Sequence, residues 1–169
     1  MQSSRLNMRI PLPALIGAIL FAAAQPAVSA DVRYEALPPL SAIMTKLEQT
    51  QDLSDLNYLC IRCTALYSAM SSYFAAGPGA AEESEKFFDA AETMLVAYQR
   101  TATANFALDS AEAEKARAAV LQMVPMLVSS LIERMNSNTL SSGAGFRDDE
   151  LIQSDLRTCR LVLASVSDS

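Results

Sequence analysis

The three cysteines limit the fold more than any other feature of the sequence. Cys60 and Cys63 stand in a stretch where Leu56, Leu59, Cys60, Cys63, Tyr67, Met70 and Phe74 recur at helical spacing, so both thiols fall on the apolar face of one helix. Cys159 lies near the other end of the chain on a second such stripe, formed with Ile152, Leu156, Val162, Leu163 and Val166. Cysteines on the apolar faces of two helices can pair only where those faces pack together, which predicts a closed helical bundle tied between these two places.

Whether they pair depends on the compartment. Residues 1–9 carry Arg5 and Arg9 and no acid, and residues 10–24 form an apolar run with Pro11 and Pro13 near its start. Small residues at Val28 and Ala30 suit an export peptidase. The layout predicts a secretory signal peptide over residues 1–30, cut between Ala30 and Asp31, with a cut after Ala24 as the alternative. The run is shorter than the ~20 residues of a spanning helix, so no membrane span is expected after cleavage. No cysteine stands near the cut to carry a lipid. The expected location is periplasmic or secreted, where distant cysteines on facing stripes normally pair. Loss of Arg5 and Arg9 takes the formal charge from −6 to −8. With the remaining basic residues scattered, Arg157 and Arg160 being the nearest to a cluster, neither nucleic acid nor an anionic membrane is an expected partner.

Along the mature chain the pattern is helical throughout, with no strand alternation and no internal repeat. Residues 31–51 read as an extended arm, stopped by Pro38 and Pro39, then a short helix over 42–50 capped by Ser41. Residues 52–166 read as the bundle domain. The cysteine helix runs from an Asp52 or Ser54 cap to about residue 76, ended by Gly77-Pro78-Gly79. A second long helix covers 80–108, with Phe87, Phe88, Ala91, Met94, Leu95, Tyr98 and Phe106 as its apolar positions. Asp109 and Glu112 resemble a capping box for a third over 111–135, kinked at Pro125. Residues 136–145 read as a loop, and the last helix starts near 147 or 148. Short loops make neighbouring helices antiparallel, so the fold class is all-α: a single up-and-down bundle of four main helices plus a short N-terminal one, tied by one disulfide. The expected core is Leu56, Leu59, Cys63, Tyr67, Met70, Phe74, Phe88, Leu95, Val124, Leu127, Leu131, Leu156, Cys159 and Leu163.

Cys60-Ile61-Arg62-Cys63 is a C-x-x-C motif, and three chemistries compete for it. Covalent haem attachment needs a following histidine, but Thr64 stands there and the chain has none. A thioredoxin-like pair opens a helix after a strand, where the helix N-terminus lowers a thiol pKa. Here the motif lies about two turns inside a helix, with Arg62 pointing away from the stripe. The third reading is structural: a Cys63–Cys159 disulfide, favoured because Cys63 lies nearer the stripe centre, with Cys60–Cys159 as the alternative. Cys60 then remains a buried thiol or a partner for exchange. Zinc on three cysteines with Asp155, or copper(I) at Met123 and Met126, would compete with that bond; no metal or cofactor is expected. Asp155 interrupts the last stripe and reads as a solvated edge residue, or else as a partner of Arg62 or Arg157 beside the disulfide. Glu82, Glu83, Glu85, Asp89 and Glu92 read as a wet helix face.

Absence of histidine removes Ser-His-Asp and Cys-His hydrolases and the usual zinc hydrolase sites. No catalytic residue is expected. What remains is a non-enzymatic binding or structural protein of the periplasm, with an envelope protein as the kind of partner. The alternative is a thiol–disulfide redox protein using Cys60 and Cys63. Residues 31–39 and the short helix beyond them, with Tyr34, Leu37, Leu40, Ile43 and Met44, serve either as a contact surface or, the favoured reading, as a cover for the bundle's own core.

Overall fold

A helix with polar residues on one side keeps that side in water; one apolar all round is surrounded by others. From Leu59 to Tyr67 every residue of the cysteine helix is buried, and it packs against each of the other four helices. The computed structural model describes residues 33–105 and 111–167, and among these it contains helices and no strand. The described residues form an all-α helical bundle with α2 at its centre. After a single 3-10 turn at Tyr34–Ala36 come α1 (Leu40–Thr50), α2 (Leu53–Ala75), α3 (Ala81–Asn105), α4 (Ala111–Ser142) and α5 (Glu150–Ser167). The apolar run over residues 10–24, the Ala30–Asp31 junction, Phe106 and Asp109 lie outside the described residues.

Local chemistry explains the helix ends. Asp52 caps α2 through its carboxylate, which accepts from Ser54 N at 2.8 Å. In α1 the expected Ser41 cap is displaced: the helix begins at Leu40, and the Leu40 N–H donates to Asp155 Oδ1 at 3.0 Å. A carboxylate distant in sequence thus serves the first orphan donor of that helix. The expected loop at 136–145 is mostly helix, since α4 continues to Ser142. Hydroxyls there fold back on the helix, Thr139 onto Met135 O and Ser142 onto Asn138 O, so they do not draw the backbone out of it. Gly143, at φ +74°, ends α4.

Asp149 caps α5, accepting from Leu151 N at 3.1 Å and Ile152 N at 3.2 Å while also taking Arg134 and Asn138. Burial alone would raise its pKa; the bonds from Arg134, Ile152 and Asn138 outweigh that and hold it below the ordinary carboxylate value. A lowered folded pKa gives stability that is complete above the unfolded value, about 3.9, and is lost as pH falls through the folded one. Asp149→Asn should therefore flatten the acid limb of a urea-stability profile measured between pH 5 and pH 2, and an unchanged limb would contradict this role.

The core holds most of the expected residues: Leu59, Cys63, Tyr67, Met70, Leu127, Leu131, Leu156 and Cys159 are buried, and Leu56, Phe74, Leu95, Val124 and Leu163 pack half-buried against them. Phe88 is a correction, for it is 54% exposed. The inward line of α3 runs through Ala91, Met94, Tyr98 and Ala102, with Phe87 half-buried at its start. Phe88 lies about 100° round from Phe87. Arg117–Ser142 is long and apolar enough to cross a membrane by length and composition. Its Leu127, Leu131 and Met135 are fully buried in the core, while only 17% of its most apolar window is buried.

Candidate functional site

α2 and α5 meet at two neighbouring cross-links. Cys63 is joined to Cys159, a closure of 96 residues, and both are shielded from solvent. One residue earlier on α2 and one turn earlier on α5, Arg62 pairs with Asp155: Nη2 donates to Oδ2 at 3.0 Å, and both side chains are 0% exposed. Arg62 therefore points inward, contrary to expectation, and Asp155 is no solvated edge residue. Arg157, the other candidate partner, is exposed.

Two buried opposite charges are costly unless most of their remaining donors and acceptors are used; here Arg62 Nε is buried without a partner, and the other groups are bonded. Asp155 accepts three bonds: from Arg62, from the Tyr34 hydroxyl at 2.6 Å and from Leu40 N at 3.0 Å. Arg62 Nη1 donates to Pro38 O at 3.0 Å and to the Tyr58 hydroxyl at 3.2 Å, and its guanidinium lies 4.4 Å from the Tyr34 ring centroid. Burial raises the Tyr34 phenol above its ordinary pKa; Arg62 opposes this, and the charge and hydrogen bond of Asp155 reinforce it. The phenol therefore stays neutral and donates. Tyr34 N donates in turn to Ser130 Oγ on α4 at 3.0 Å.

The arm is thus clamped to α2, α4 and α5. Tyr34 and Leu40 are fully buried, and Leu37, Ile43, Met44 and Leu47 pack half-buried on the core. The arm covers part of the core, as one of its two expected roles requires.

Cys60 is the remaining thiol, free and buried on α2 one turn before Cys63. Burial pushes its pKa up to about 11, so almost no thiolate forms near neutral pH. With Cys63 and Cys159 joined, the three-cysteine zinc arrangement with Asp155 is not formed, and Met123 and Met126 lie half-buried on α4. The acids Glu82, Glu83, Glu85, Asp89 and Glu92 are all exposed, with Glu82 paired to Lys86.

Sequence reasoning missed the Tyr34–Arg62–Asp155 cluster as a unit. The available signal was a carboxylate interrupting an apolar stripe, four residues before a cysteine on the same face.

No protein-family model matches the chain, and neither a curated protein nor a solved structure matches it.

Proposed function

We propose that this protein works in an oxidising compartment, periplasmic or secreted, as a non-enzymatic binding or structural protein. The observation that carries this reading is the state of the C-x-x-C motif. A thiol–disulfide enzyme needs an accessible thiolate with its resolving cysteine beside it. Here Cys63 is committed to a buried bond with Cys159 on another helix, while Cys60 is shielded and its thiol is held protonated. The leader-like first 30 residues and the inter-helix disulfide both favour export. Apolar side chains at the surface, Phe88 and Val96 on α3, Leu140 on α4 and Leu161 on α5, offer contact area to an envelope protein.

An insulin-reduction assay separates this reading from the redox alternative. The expected result is no turnover above that of dithiothreitol alone. Turnover that disappears in Cys60→Ser would establish the redox protein instead.

A further inference from the structure

We propose that the buried Arg62–Asp155 pair sets the register of α2 against α5 and thereby selects Cys63, not Cys60, as the partner of Cys159. This inference does not depend on the functional reading above.

The choice needs a cause, because the chain itself does not make it. A loop from Cys60 to Cys159 is only three residues longer than the 96-residue loop from Cys63, so the two close with nearly equal entropy. Cys60 and Cys63 are both fully buried, and i, i+3 spacing puts them on the same side of α2. Sliding α2 by three residues, about 4.5 Å along its axis, brings Cys60 to the level of Cys159.

Apolar contact resists that slide through close packing, but it does not by itself single out one register. Leu59, Ile61, Ala65, Leu66, Ala69 and Met70 keep α2 apolar along its buried length, and apolar attraction is non-directional. The ion pair opposes it strongly. Asp155 Oδ2 has both Arg62 and the Tyr34 hydroxyl as donors, Oδ1 has Leu40 N, and Arg62 Nη1 is bound to Pro38 O and Tyr58. One turn of slip separates Arg62 from Asp155 and leaves two buried charges unpaired. Fixing register is the best-attested use of buried polar pairs.

The covalent chemistry balances. A small-molecule disulfide such as oxidised glutathione oxidises two thiols and is itself reduced to two thiols. The shortest loop, Cys60–Cys63, closes most readily in the unfolded chain. The Cys159 thiolate then attacks Sγ of Cys63: the Cys60–Cys63 bond breaks, Cys63–Cys159 forms, and Cys60 leaves as a thiolate that takes a proton from water. The number of disulfides is unchanged. Once α2 and α5 dock, the Cys60 thiol is buried and exchange stops.

The test is refolding of the reduced full chain in a reduced and oxidised glutathione buffer, with acid trapping and non-reducing peptide mapping of the folded fraction. The same buffer in urea gives the ratio of Cys63–Cys159 to Cys60–Cys159 without structure, expected near unity. For the wild type the ratio should stand at least about tenfold higher, a factor equivalent to about 1.4 kcal/mol. R62M/D155L removes both charges and keeps the apolar volume; its ratio should fall toward the urea value while helical circular dichroism persists. Asp155→Asn keeps the shape and most of the hydrogen bonding and is the second variant, with a smaller shift in the same direction. A folded fraction of either variant that retains the wild-type ratio would overturn the proposal.

Discussion

Asp155→Ala should destabilise the protein by about 3–5 kcal/mol, the range for breaking a buried ion pair from one side. The loss exceeds that of a methyl-sized cavity because it leaves the Arg62 guanidinium buried, at 0% exposure, with its carboxylate gone. It also frees the Leu40 N–H at the start of α1 and the Tyr34 hydroxyl, both buried and both otherwise bonded to Asp155. Urea unfolding of the oxidised protein measures the cost. R62M/D155L should recover part of that loss, since it removes the unpaired guanidinium, but the Leu40 N–H and the Tyr34 hydroxyl still lack Asp155 and keep it below the wild type. A destabilisation below about 1 kcal/mol in Asp155→Ala would place the pair in the class of exposed bridges and contradict its burial.

The second large effect is covalent. C63A/C159A should lose about 4–5 kcal/mol, the chain-entropy value for opening a loop of nearly a hundred residues. For a domain of this size the melting temperature should fall by roughly 10–20 °C. Reduction of the wild type with dithiothreitol after brief unfolding should reproduce the shift. The two effects should not add fully, because Arg62 adjoins Cys63 and Asp155 shares a face with Cys159. A melting temperature unchanged within a few degrees would show that α2 and α5 are held without the bond.

Much of this architecture is readable from periodicity alone. Apolar positions at helical spacing, Gly77 to Gly79 after α2 and the acidic start of α3 mark the helices because each has a local cause. The same holds for Cys63, whose position on the wheel favours it over Cys60. Other features have causes elsewhere in the chain. Arg62 looks outward-facing because a charged residue is costly to bury, and that inference fails when its partner comes from another helix, 93 residues away. Tyr34 reaches Asp155 across 121 residues, and no local pattern in the arm announces it. In α2 the full burial from Leu59 to Tyr67 reflects four neighbouring helices, whereas a stripe reading assigns it a single buried face. Phe88 misleads because two adjacent phenylalanines stand about two turns into α3 and only the line through Phe87 turns inward. α4 outlasts its sequence signal because Asn138, Thr139 and Ser142 bond back to the helix or to the Asp149 cap.

The central claim is that the C-x-x-C motif is divided: one cysteine staples α2 to α5, and the other is a buried thiol. Native protein is treated with iodoacetamide, unfolded in urea with N-ethylmaleimide present, then digested without reduction and mapped by mass spectrometry. The expected map contains a Cys63 peptide linked to a Cys159 peptide, with Cys60 carrying maleimide alone, which marks a thiol reached only on unfolding. A Cys60–Cys63 disulfide with Cys159 alkylated would contradict the claim and restore the motif as a redox pair.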